Sequence, residues 1–213
     1  SSDITGSKSI QIIKYLYRNF ESKPHLREIS RDTTVSRSTA SRILSELHEN
    51  DIVLRNERGN QTLFTLNLDN FLVLHICALA LAIEFDCTVE NFPSLNRQLK
   101  SFSDACVKRV GSDIRSIVLF GSAARGEQKK KSDIDALVLI DDLEHTKKIE
   151  EISSSINSTY TTDISPTTII PETFISELKN GNILYLNIIK EGLPLYGSES
   201  FLRTVFKYIR GIR

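Results

Sequence analysis

The sequence predicts an α+β protein of two domains, a small helical N-terminal domain closed by a hairpin and a C-terminal domain built on a mixed α/β sheet. Three observations carry this. Three helix-period segments and then two short extended ones fill the first 70 residues, and an unbroken apolar run starts at Phe71. A strand, a Gly-Ser turn and a second strand opened by paired aspartates occupy residues 115 to 140. The 213 residues suffice for two small cores, and the pattern divides the chain at 1–70, 71–94 and 95–213. Its 27 basic residues balance 27 acidic ones, with ten and nine of them in the first 70 positions. Neither half carries a bulk field that would recruit nucleic acid unaided, so any such binding is local.

Ile10, Ile13, Tyr17 and Phe20 recur at helical spacing until Ser22-Lys23-Pro24, where proline bars continuation. A short second helix follows in HLREISRD, with Leu26 and Ile29 inward. Thr33-Thr34-Val35 turns into a third helix that Ser36 caps. That helix directs Ala40, Ile43, Leu44 and Leu47 to the core. Its other face carries Ser38, Ser41, Arg42 and Ser45, with Arg37 beside them, a row of small donors and arginines that suits a major groove. IVLRN and TLFTLN then form two strands around a Gly-Asn turn, with Arg55 and Arg58 near the tip. Over residues 7 to 68 this order resembles the winged helix-turn-helix of archaeal and bacterial regulators. The resemblance implies binding of duplex DNA through Arg37, Ser38, Ser41, Arg42, Ser45 and Arg58. A protein-interaction or dimerisation module is the alternative for the same fold.

From Phe71 to Phe85, FLVLHICALALAIEF is apolar on nearly all sides, which a helix tolerates only when other elements cover it. A second copy of the chain is one supplier of that cover, and a homodimer is expected. The longest apolar run, Phe71 to Ile83, is internal, contains His75 and falls short of a membrane span, so no membrane partner is expected. His75 is read as a satisfied buried or interfacial residue. Three cysteines without paired metal-ligand spacing, and a start without an apolar signal-peptide core, fit a cytoplasmic protein. Pro93 ends the helix and another runs to about Val110.

RSIVLFGSAARGEQKKKSDIDALVLI, residues 115 to 140, holds the chemistry. Ile117 to Phe120 reads as a buried strand ending in Gly121-Ser122, where a missing Cβ lets backbone approach a ligand. The free N–H groups of the short helix that starts there, with the Ser122 hydroxyl, suit a triphosphate. Asp133 and Asp135, two apart in a strand, present their carboxylates from one face. Two like charges so close call for a cation, and hard oxygen ligands beside phosphate select Mg²⁺. Arg125 either touches phosphate or braces the loop. Lys129, Lys130 and Lys131 form a solvated charge run that can also draw in a nucleotide.

Gly121-Ser122-Ala123-Ala124-Arg125-Gly126-Glu127 followed by Ser132-Asp133-Ile134-Asp135 resembles the signature of the DNA polymerase beta superfamily, in particular the minimal nucleotidyltransferases of archaea and bacteria. The likeness extends over about residues 95 to 200. It implies transfer of a nucleoside monophosphate from an NTP, ATP among them, to an acceptor hydroxyl, with two Mg²⁺ ions or Mn²⁺ in their place. It implies nucleotide binding by Gly121, Ser122 and Arg125, and it implies a third carboxylate on a later strand. Asp163, within the β-rich stretch Thr159 to Ile170, is the candidate, with Asp141 and Asp142 as rivals that read better as helix caps. The acceptor is open, a partner protein being one choice. A DNA-binding regulator whose second domain only senses nucleotide, or is inactive, is the alternative function.

Overall fold

The computed structural model describes residues 7–127 and 132–212, so the lysine run at 129–131 lies outside the described residues. The chain falls into two compact units, one ending at Leu81 and one running Ala82–Gly211.

In the first unit, α1 (Lys8–Arg18), α2 (Leu26–Asp32) and α3 (Arg37–Glu49) precede a two-stranded antiparallel sheet, β1 (Val53–Arg58) with β2 (Gln61–Leu66). The buried stripe of α1 is Ile12, Ile13, Leu16 and Tyr17. Ile10 is only half-buried, and Phe20 is buried beyond the helix end. Ile13, Tyr17 and Phe20 are thus buried as the helical period predicts, and Ile12 and Leu16 widen the stripe. Pro24 contributes a carbonyl that accepts the Phe64 N–H at 2.9 Å, which stitches the break after α1 to β2. The Ser36 hydroxyl accepts from the Thr39 N–H at 3.3 Å and so caps α3, which buries Ala40, Ile43 and Leu44. Arg58 pairs with Gln61, leaving Gly59-Asn60 as a two-residue loop, and Gly59 has the φ of +59° that such a turn demands.

α4 (Phe71–Glu90) runs from the first unit into the second. It ends just before Asn91-Phe92-Pro93, the break expected from the sequence. Among the described residues it is one helix long and apolar enough, by length and composition, to cross a membrane. Val73, Leu74, Cys77, Ala80 and Leu81 are buried, whereas Phe71, Leu72 and Leu79 are exposed. His75 is exposed too, edge-on to the Phe71 ring at 6.0 Å, so of the two placements expected for it, buried or interfacial, the first does not hold within one chain.

The second unit continues with α5 (Pro93–Val110), β3 (Ile114–Phe120), α6 (Gly121–Ala124), β4 (Ile134–Ile140), α7 (Thr146–Asn157), β5 (Ile164–Ile169), α8 (Pro171–Lys179), α9 (Ile183–Glu191), β6 (Leu193–Tyr196) and α10 (Ser198–Gly211). The four-stranded sheet has the order β5-β4-β3-β6. β3 is antiparallel to both β4 and β6, and β4 is parallel to β5. One sheet face, with Ile117, Leu119, Ile134, Ala136, Val138 and Ile140, packs on Leu99, Phe102 and Cys106 of α5 and on Ile149 and Ile152 of α7. Val118, Leu137 and Leu139 alternate to the opposite side and are also fully buried. There α8 to α10 close the layer, with the Phe174 ring 6.2 Å from Phe201. A mixed sheet covered on both faces explains why these strands read as continuous apolar runs.

Thr34 sits in the turn between α2 and α3 with φ +57°, the left-handed region that a β-branched side chain enters at a cost of about 1 to 2 kcal/mol. It is exposed, so no buried contact repays that cost. Thr34→Gly should therefore stabilise the first unit by about 0.5 to 1 kcal/mol, after the greater chain entropy of glycine is subtracted. Urea unfolding followed by far-UV dichroism measures it.

Candidate active site

The register of β3 and β4 builds the site. Phe120, the last residue of β3, pairs with Asp135, so Gly121 begins the turn directly beside that aspartate. Gly121 has φ +73°, and a Cβ added there would lie 2.5 Å from Asp135 Oδ2. Glycine is thus required twice at this position, for the turn and for the carboxylate. Ser122 follows, half-buried, in the single turn of α6.

On the other side of β4, Ile134 pairs with Ile164 of β5, and the Ile134 N–H donates to the Asp163 carbonyl at 2.8 Å. Ile134 and Ile164 both enter the core below α5 and α7. Pleat alternation therefore turns Asp133, Asp135 and Asp163 to the other face, at one end of the sheet. Asp163 is exposed and stands just before β5, because Thr159 to Asp163 form turns where the sequence suggested strand. None of these three carboxylates has a hydrogen-bond or ion-pair partner among the described residues. The rivals are engaged. Arg115 Nε donates to Asp141 at 2.6 Å, and Asp142 accepts from the Glu144 N–H at 2.9 Å as a cap.

Asp135 is half-buried, and its carboxyl is pushed above the usual carboxylate range by burial first, then by the charges of Asp133 and Glu191. Among the described residues no three His, Cys, Asp or Glu side chains are gathered closely enough to hold a metal ion. The donor set nonetheless fits a hard divalent cation. It offers only carboxylate oxygens at one end of the sheet, without cationic partners among the described residues, and one of them is held partly out of water.

Glu191, at the end of α9, escaped the sequence reading. Its Oε1 accepts the Gly121 N–H at 3.1 Å and its Oε2 accepts from Arg125 Nη1 at 2.8 Å. Arg125 also donates to Glu127 at 2.9 Å. Arg125 therefore braces the turn, and the Gly121 amide assigned to phosphate is already satisfied by a carboxylate. No signal in the sequence points to Glu191, since its role depends on where α9 ends relative to the turn.

In the first unit, α3 and the hairpin line a cleft of about 520 Å³ that includes Arg27, Arg37, Ser41, Ser45 and Arg55. Ser38, Arg42 and Arg58 are exposed nearby in sequence. Arg42 is not free, since its Nη1 pairs with Glu46, one turn along. Arg55 lies within β1 and not at the tip, and it reaches Ser45 Oγ at 2.7 Å. Arg27 is an additional cation that the periodicity of α3 could not reveal, because it belongs to α2.

Comparison with known proteins bears on this second-unit geometry. A family described as nucleotidyltransferase domain matches residues 99–185. A Methanocaldococcus jannaschii protein named as a protein adenylyltransferase is 31% identical over 123 residues, 55% of this chain and 82% of that protein.

Two substitutions at the Gly121–Asp135 contact should move stability in opposite directions. Gly121→Ala should cost about 1 to 3 kcal/mol, from backbone strain and displacement of the carboxylate. Asp135→Asn should raise the unfolding temperature at neutral pH in chelator. A carboxyl with a raised folded-state value favours folding only while protonated, and its charge opposes folding once pH passes that value. The advantage of the asparagine variant should therefore fade as pH falls through the acidic range, which calorimetric scans at several pH values would reveal.

Proposed function

Since this chain belongs to the nucleotidyltransferase family, we propose that it transfers adenylate from ATP to a hydroxyl of a partner protein, under the control of a DNA-binding winged helix. The observation that carries the transfer is the Gly121 turn set against Asp135, with Asp133 and Asp163 at the same end of the sheet and no cation paired with them among the described residues. The protein acceptor follows the name of the archaeal relative.

In this reading Asp133, Asp135 and Asp163 hold two Mg²⁺ ions, or Mn²⁺, which supply neutralisation of the triphosphate and activation of the acceptor hydroxyl. The residues of the chain do the positioning. Gly121 admits the phosphates close to the backbone, and the Ser122 hydroxyl and the remaining turn amides hold the β- and γ-phosphates in line for departure. Glu191 and Arg125 keep the turn in shape. The acceptor oxygen bonds to the α-phosphorus, the bond from that phosphorus to the bridging oxygen breaks, and pyrophosphate leaves with the electron pair while the hydroxyl proton passes to solvent. Incubation with each α-labelled NTP, Mg²⁺ and cell lysate should label a polypeptide, with ATP best. Asp133→Asn or Asp135→Asn should each cost at least about a hundredfold. Label on a nucleic acid or a small molecule would replace the acceptor class, and full activity in Asp133→Asn would remove the site.

A second reading, a DNA-binding regulator whose second unit only senses nucleotide, is favoured by the arginine-lined cleft between α3 and the hairpin. Both readings place the protein in the cytoplasm as a homodimer, joined through the exposed Phe71, Leu72 and Leu79, with α4 as a core helix and no membrane partner. Arg37→Ala and Arg58→Ala should weaken retention of genomic DNA fragments and flatten the salt dependence by about one counterion each. Sedimentation at micromolar concentration should give twice the chain mass.

A further inference from the structure

Asp163 poses a problem for any role in transfer, because an exposed side chain in a turn has no fixed position of its own. The backbone around it is nevertheless held at every carbonyl. Gln98 of α5, 1% exposed, donates from Nε2 to the Thr162 carbonyl at 2.7 Å and accepts from the Thr162 hydroxyl at 2.9 Å. The Asp163 carbonyl takes the Ile134 N–H from β4 at 2.8 Å. The Ile164 carbonyl accepts from Ser153 Oγ at 2.6 Å and from Asn157 Nδ2 at 3.1 Å, while Asn157 Oδ1 accepts the Ile164 N–H at 2.8 Å. Two side-chain amides, each engaged in both directions, thus grip the residues immediately before and after one aspartate.

A buried glutamine costs desolvation that only satisfied hydrogen bonds offset. An apolar side chain would fill its place in the α5 layer without that cost. Gln98 and Asn157 come from different helices, α5 and α7, on the core side of the sheet. Asp163 faces the opposite side, so the amides cannot touch a substrate there. What they can do is fix where the Asp163 carboxylate stands relative to Asp133 and Asp135 on the neighbouring strand. We propose that Gln98 and Asn157, with Thr162 as the partner of the first, are positioning residues that lock Asp163 into the metal-binding set. This rests on the reading of Asp163 as the third ligand.

The test is Mn²⁺ binding by the full chain in the presence of a non-hydrolysable ATP analogue, measured by calorimetry, alongside transfer kinetics. Gln98→Leu and Thr162→Val should each weaken Mn²⁺ binding about tenfold and lower kcat similarly, with KM for ATP nearly unchanged. Thr162→Ser, which keeps the hydroxyl, should restore both. In an Asp163→Asn background Gln98→Leu should add no further loss of Mn²⁺ affinity, since its effect runs through that carboxylate. Equal losses in both backgrounds, or normal binding in both Gln98→Leu and Thr162→Val, would overturn the proposal. Should Gln98→Leu fail to unfold cooperatively, Thr162→Val against Thr162→Ser decides. Normal Mn²⁺ binding and transfer in Asp163→Asn itself would instead remove Asp163 as a ligand, a separate failure from that of the clamp.

Discussion

The approach of the Asp135 carboxylate to the Cα of Gly121 is the constraint on which the rest of the second unit depends. It exists because β3 and β4 pair in a register that sets Phe120 against Asp135. That register is in turn held by the alternation of Ile117 and Leu119 on one face and Val118 and Phe120 on the other. A slip by one residue would turn Asp135 into the core below α5 and α7 and bring Ile134 out. With the register kept, the turn after β3 must pass close to the carboxylate, and only a residue without a Cβ can make it. The short α6 and the direction of its N–H groups follow from that turn.

The same contact creates an electrostatic cost that the surrounding structure only partly offsets. Asp135 is drawn partly out of water next to Asp133 and Glu191, and no cation among the described residues answers it. Glu191 is answered, by Arg125 and by the Gly121 amide. The turn therefore has an internally balanced half, which fixes its shape, and an unbalanced half made of aspartates. A protein that required only stability would place an apolar or neutral residue at 135, since a half-buried unpaired charge raises the free energy of the fold. The imbalance makes sense in the proposed reading, where a divalent cation and a triphosphate would complete the charge balance.

Much of this was legible in the residues, and the reasons it was or was not are physical. The Gly-Ser turn and Asp-x-Asp were visible because strand alternation and a missing Cβ are local properties, written within fifteen positions. The helices of the first unit were visible for the same reason, with Ile13, Tyr17 and Phe20 buried as their spacing requires and Ile10, in the first turn of α1, only half-buried. Glu191 was invisible because its role depends on α9 ending beside a turn 70 residues earlier, which no periodicity encodes. Gln98 and Asn157 carry no local signal, and their hydrogen bonds to the residues flanking Asp163 exist only once α5, α7 and β5 are packed. Arg42 looked like a free reader of bases, whereas Glu46 lies one helical turn away and pairs with it. An exposed pair of this kind is worth only about 0 to 1 kcal/mol, so it biases Arg42 without removing it from service.

The two units carry their functional residues on different kinds of support, and this difference bears on how each site can vary. In the first unit the cations lie on exposed side chains of α2, α3 and β1, each attached to a small core of Ile29, Ile43, Leu44 and Phe64. Such residues can be exchanged with little effect on packing. In the second unit every acid is fixed by backbone. Asp135 is set by the β3 register, Asp133 by the strand start, and Asp163 by three hydrogen-bonded carbonyls in succession. Backbone placement tolerates little change, because moving one carboxylate means moving a strand with a fully buried face. The division is the one that the two proposed roles would need. Recognition of a partner is a difference of affinities that surface side chains can tune, whereas in-line transfer requires reacting groups held to within a fraction of an ångström.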